Sequence, residues 1–240
     1  MKNKNLIIII LSIIMLALIL LIKYTYKTNL TQRTFLIQIY FYITLSLITM
    51  FLITKFIQVK TNNFIMVILF FIISIISLFL IYNDTMIINH TGLFLFIVNN
   101  AFFLNVFFND NDNVNTSILI TTGIFIILTL ITTFLSNETL IKLQKLLPPF
   151  MILLCLVIII QIVLIMCCSN TKYFKYFTRG ATLLSVITIF IFIVFTLIDT
   201  SQVLLVNIAG THYDQNYPKL SIQLILDYIN LLLNIDNITK

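Results

Sequence analysis

Residues Pro218 to Ile238 read PKLSIQLILDYINLLLNIDNI. This is an apolar helix of membrane length with a carboxylate, Asp227, near its middle. On a period of 3.6 residues Gln223, Asp227, Asn230 and Asn234 fall within about 60° of one another, and the other faces are Leu, Ile and Tyr. One polar line on an otherwise oily helix fits a segment packed inside a helical bundle. The preceding apolar segment, FIVFTLIDT (192–200), carries a second carboxylate, Asp199, at its end. Ser185, Thr188, Thr196 and Asp199 share one face of that helix. Apart from Asp236, close to the chain end, no other acidic residue stands within or against a long apolar run. A charge at membrane depth costs about 2.5–3.5 kcal/mol on insertion scales, so such a residue marks a candidate functional site.

Working outward, the composition fixes the class. Of 240 residues, 60% are hydrophobic and only 9% charged, against about 25% charged in ordinary soluble domains. The apolar runs are continuous and about 20 residues long, which predicts membrane-spanning helices and excludes a strand barrel. The net charge is +6, but the basic residues are scattered through the connections. They read as lipid-headgroup contacts, so the lipid bilayer is the expected partner and nucleic acid is not. Counted connection by connection, Lys and Arg are near balance on the two sides, so charge does not set the membrane orientation. Few glycines, no tryptophan and abundant Ile, Asn, Lys and Tyr match an AT-rich coding genome.

Eight apolar segments are expected. Leu6 to Ile22 follows Lys2 and Lys4 and reads as an uncleaved anchor or a signal, with no small-residue cleavage site after it. The others are Phe35–Ile57, Phe64–Tyr82, Gly92–Phe108, Ser117–Leu135, Pro148–Cys168, Gly180–Ile198 and the opening stretch. Residues 1–30 thus form an N-terminal hydrophobic segment with its linker, and residues 31–240 a multi-pass domain. The fourth segment is interrupted by Asn99, Asn100 and Asn105. In the fifth, Thr121, Thr122, Thr129, Thr132, Thr133 and Ser136 lie in an arc of about 120°, where hydroxyls can bridge helices. The link from Ser136 to Leu147, with Glu138, Lys142 and Lys145, suits a short surface helix. His90 and His212 are expected in solvated loops, with no metal-ligand pattern joining them. Cys155, Cys167 and Cys168 have neither disulfide nor metal spacing. They read as small apolar packing residues, with palmitoylation of Cys167 and Cys168 the alternative. No nucleophile elbow, phosphate loop or paired metal motif occurs, so neither an enzyme nor a resident cofactor is expected.

At the seventh and eighth segments the chain resembles the Bax-inhibitor family, in its lifeguard and Golgi anti-apoptotic branches. The residues that carry the likeness are Ile198-Asp199-Thr200 and Leu226-Asp227-Tyr228-Ile229-Asn230-Leu231, with Ser221 before them. TQRTFLIQIY (31–40) is similar to the family's first helix, and ITTGIFIILTLITTF (120–134) to its Thr-rich fourth. Ile198 and Ile225 stand where the family has aromatics. The Glu usual in its third helix has no counterpart here, and no Lys or Arg lies between Lys60 and Lys142. The resemblance implies an all-α membrane protein, a seven-helix bundle with a central polar last helix, preceded here by an extra N-terminal hydrophobic helix. It also implies suppression of apoptosis from the endoplasmic reticulum or Golgi membrane by lowering stored Ca²⁺; a viral copy would act in a host-cell membrane.

In that reading Asp199 and Asp227 meet and share a proton. Two close carboxylates in low dielectric do not easily both ionise, so the pair titrates as a unit. Deprotonated, it repels itself or binds a hard cation, since Ca²⁺ takes oxygen ligands. Asp199 and Asp227 are then the gate and the Ca²⁺ ligands, with Asn230, Gln223 and Thr196 as supporting oxygen donors. The plain alternative puts Asp199 at an aqueous helix end and Asp227 in a satisfied polar seam. Two other functions stay open. One is a non-conducting viral adaptor that binds host membrane proteins or a second copy of itself. The other is a hydrophobic subunit of an organellar respiratory or transport complex.

Overall fold

The computed structural model describes residues 32–56, 64–108, 114–168, 174–209 and 216–239. Leu6 to Ile22, His212 and the side chains of Cys167 and Cys168 lie outside what is described. Among the described residues the chain is all helical, with eight helices: α1 Gln32–Phe56, α2 Phe64–Ile81, α3 Met86–Phe108, α4 Val114–Thr133, α5 Asn137–Gln144, α6 Leu147–Cys168, α7 Phe174–Ile208 and α8 Tyr217–Thr239. Five of them, α1, α3, α4, α6 and α7, are long and apolar enough to cross a membrane. The chain is therefore a multi-pass membrane protein. Exposed Phe71 and Phe79 on α2, and Ile152, Ile159 and Val163 on α6, are the surface such a protein presents to lipid.

Two helices depart from the sequence reading. α3 begins at Met86, not at Gly92, because Asn83 Oδ1 accepts the Thr85 N–H (2.8 Å) and Thr85 O accepts the first helical N–H, from Asn89 (3.0 Å). His90 is therefore a buried helical residue and not a solvated loop histidine. α7 continues past Asp199 to Ile208. Val203, Leu204 and Asn207 repeat the buried face of Thr196 and Ile198, so the apolar period does not stop at the acid. This removes the aqueous helix end as an account of Asp199.

The packing falls into two compact units. One is the described part of Met1–Asp110 with Gly210–Ile222, the other that of Asn111–Ala209 with Gln223–Lys240. In the first unit α2 and α3 approach until backbones touch. A Cβ on Gly92 would stand 2.7 Å from Ile81 N and 2.8 Å from Ser77 O. Asparagines then clamp the helices. Asn99 Nδ2 donates to Phe70 O (2.8 Å) and Ser74 Oγ (2.7 Å), and Asn105 Nδ2 donates to Thr54 O (2.6 Å) across to α1. Asn216 caps α8 by accepting the Lys219 N–H (3.0 Å), while its own amide donates to Ile81 O (2.7 Å) at the end of α2.

In the second unit Val157 of α6, Leu184, Ile191, Phe192, Phe195 and Ile198 of α7, and Leu231 of α8 form the apolar core. The link after α4 forms a short helix, α5, capped by Ser136 Oγ accepting the Thr139 N–H. The threonine arc of α4 acts differently from expectation. Thr121 and Thr132 donate to the carbonyls four residues back (2.7 Å each) and Thr133 to the one three back, so these hydroxyls serve their own helix. Thr122 alone of the arc is seen bridging within this unit, to Tyr228 of α8 at 2.8 Å.

Candidate functional site

The second unit brings the two acids together. α7 supplies Asp199 and α8 supplies Asp227, and their carboxyl groups share a side-chain hydrogen bond, the protonated member donating. The pair is asymmetric. Asp227 is 5% exposed and its Oδ2 has no hydrogen-bond partner among the described residues, whereas Asp199 is half-buried. Burying a carboxyl with an oxygen left unpaired is costly unless the site stays neutral or gains a cation. Shared ionisation between the two groups follows from their contact.

The helix next to each acid is fastened to a neighbouring helix. Beside Asp199, Gln144 Nε2 reaches from α5 to Ile198 O (2.7 Å) and Ser201 Oγ (2.6 Å). Ser201 donates to the same Ile198 carbonyl at 2.7 Å. Beside Asp227, Tyr228 meets Thr122 through its hydroxyl and Phe125 edge-on, with ring centroids 5.7 Å apart. Further along α8, the buried carboxylate of Asp236 accepts from Ser117 Oγ at 3.2 Å. α4 is thus pinned to α8 at two places, one next to the acid and one further toward the C-terminus. Nothing in the sequence of the α5 link marks Gln144. Tyr228, by contrast, lies inside the motif that carries the family resemblance.

The supporting oxygens are differently placed. Thr196 donates to Phe192 O (2.8 Å) and Asn230 Nδ2 to Leu226 O (2.9 Å), each within its own helix and not to the acid pair. Gln223 Oε1 and Thr200 Oγ1 are buried with no partner among the described residues. Those two, with Asp227 Oδ2, are oxygens still open to a donor or a cation. Among the described residues no group of three or more His, Cys, Asp or Glu side chains could hold a metal ion.

The bridge between Thr122 and Tyr228 can be weighed directly. A double-mutant cycle of Thr122→Val and Tyr228→Phe, read by unfolding in mixed micelles, is expected to give a coupling of about 0.6 kcal/mol, the mean for such bonds in lipid. A coupling indistinguishable from zero would mean that the bond does not brace the acid.

A protein-family model described as inhibitor of apoptosis-promoting Bax1 matches residues 32–240, which include both acids and every helix named above. No curated protein and no solved structure matches the chain.

Proposed function

The chain belongs to the Bax1-inhibitor family, and from that membership we propose that it suppresses apoptosis as a proton-controlled Ca²⁺ leak of an intracellular membrane, the endoplasmic reticulum or Golgi. Asp199 and Asp227 are the gate. The observation that carries this reading is their hydrogen bond around a carboxyl that is almost wholly buried. With one proton between them the acids hold α7 and α8 together. When that proton leaves, two like charges confront each other in a site with little water, and the helices part or a cation enters. The oxygens of Gln223 and Thr200, not engaged with other described residues, are available to it.

The proposal predicts a pH profile. The purified chain in Ca²⁺-loaded liposomes releases Ca²⁺ slowly where the pair holds its proton and faster as pH rises through the pair's titration. A rate that does not change with pH over the range in which the protein stays folded would count against the acids as gate. The family match lends no support to a subunit of an organellar complex.

A further inference from the structure

We propose that His90, Tyr42 and Gln38 of the first unit form a second proton-binding site, separate from the two acids, in which a proton arriving at His90 Nε2 reverses the Tyr42 hydrogen bond. The tautomer of His90 is fixed by its surroundings. Nδ1 lies 2.8 Å from Met86 O, a carbonyl that can only accept, and 2.6 Å from Asn89 Oδ1. Nδ1 therefore carries the hydrogen, Nε2 presents a lone pair, and the Tyr42 O–H donates to it at 2.6 Å. An ionisable side chain so placed, in a helix long and apolar enough to span the membrane, is a functional candidate.

Protonation changes every role in this chain of bonds. Nε2 becomes a donor, Tyr42 oxygen becomes its acceptor, and the Tyr42 hydrogen must turn to another oxygen. Gln38 sits one helical turn before Tyr42, which brings their Cβ atoms to about 5–6 Å. A tyrosine on a helix leans back over that preceding turn. Gln38 is 4% exposed, and neither its Nε2 nor its Oε1 has a partner among the described residues. An amide buried with both ends unpaired is destabilising unless it is used in some state of the protein. Gln38 Oε1 is the acceptor that the displaced Tyr42 O–H needs. No bond to carbon changes; one proton is gained at Nε2 and one hydroxyl rotates.

Tyr217, in the first turn of α8, closes the site. Its ring stacks on Tyr42 (6.2 Å, 11°) and packs against Phe35 at 5.6 Å, so it covers the α1 face on which Gln38 lies. Its hydroxyl is likewise buried and without a partner among the described residues. The titratable groups facing His90 are thus Tyr42 from α1 and, behind it, Tyr217 from α8. Among the described residues the end of α2 is followed by Tyr82, whose ring sits under the Lys219 ammonium at 5.1 Å. Asp84 is exposed in the α2–α3 connection. Among the described residues no carboxylate is seen to contact the imidazole, so the charge of a protonated His90 is met by the hydroxyl and amide alone.

The test uses the full chain in lipid nanodiscs with ¹⁵N-labelled histidine and His212→Gln, which leaves His90 the sole imidazole. Its ¹⁵N shifts are followed as pH falls. The expected result is uptake of one proton at Nε2 while the helix content by circular dichroism is kept. At a fixed pH of about 6, Gln38→Leu is expected to reduce the protonated fraction by about two- to tenfold, the equilibrium worth of one hydrogen bond. Gln38→Met, of similar length, gives the same reading if the Leu variant does not fold. An imidazole that stays neutral over the whole range in which the protein is folded would overturn the proposal. So would an equal protonated fraction with and without the Gln38 amide. Neither readout involves Ca²⁺, so it stands or falls apart from the gate.

Discussion

Asp227→Asn closes the leak at every pH. In Ca²⁺-loaded liposomes this variant is expected to fall at least tenfold, to the release rate of protein-free vesicles, and to lose its pH profile. The reason is chemical. Asparagine has the shape of the protonated acid and can donate to Asp199 as that acid does, but it cannot lose a proton and create the repulsion that opens the pair. Asp199→Asn is expected to act in the same direction, because the gate is the pair and not either member. Asp227→Ala separates two possibilities, since it removes both the charge and the hydrogen bond. If conduction needs a carboxylate as cation ligand, Ala is as silent as Asn. If parting of the helices suffices, Ala leaks at all pH values. Release equal to the parent in both Asn variants, with its pH profile kept, would remove the acids from the mechanism. Because Tyr228 and Gln144 fasten α8 and α7 next to the acids independently of the carboxyl groups, these variants are expected to remain folded.

The second large effect concerns stability. Gly92→Ala is expected to destabilise the protein by about 1–3 kcal/mol, the range for forcing an extra methyl into a packed interior. Gly92→Leu is expected to prevent accumulation of folded protein. The new Cβ would meet Ile81 N, Leu80 Cβ and Ser77 O, all within 2.8 Å. Two of these are backbone atoms, and a Cβ moves only with its backbone, so no side-chain rotation relieves the clash. Close backbone approach at a small residue is a recurrent way for helices to associate in lipid, where apolar burial adds little. Gly123 supplies the control, since a Cβ there meets nothing within 4 Å. Gly123→Ala should stabilise by about 0.5–1 kcal/mol through helix propensity. Unfolding of the two alanine variants in mixed micelles compares them. Equal stability would show that the α2–α3 contact is looser than its geometry implies.

Residues that carry their signal in local pattern are legible in the sequence. Long apolar runs declare membrane helices because a bilayer demands continuous length and internal hydrogen bonding. The charged link from Ser136 to Leu147 suits a short helix, and α5 forms there. Asp199 and Asp227 stand out because a carboxyl on an oily helix is expensive and therefore rare. His90 reads wrongly as a loop residue because Asn83, Asp84, Thr85 and Asn89 around it have loop composition. The Asx turn at Asn83 instead starts a helix within two residues, and burial follows from Tyr42 of α1 packing against it. The asparagines of α3 resemble compositional drift, yet Asn99 and Asn105 each bind a carbonyl on another helix. The threonines of α4 resemble bridges, yet Thr121, Thr132 and Thr133 turn back on their own carbonyls. Nothing within a single helix distinguishes those two outcomes.

The sequence by itself determined the solvent this protein lives in, the helical type of its described segments, the family to which it belongs and the two acids most out of place. Tertiary structure alone decided that those acids touch and that Gln144 and Tyr228 fasten the helices beside them. It also decided that His90 is buried, donates, and accepts from Tyr42. Period and composition report what a residue does to its own helix. A hydrogen bond between residues far apart in the chain depends on which faces pack together, and that is set by the sum of many weak contacts, none of which leaves a mark at the positions it joins.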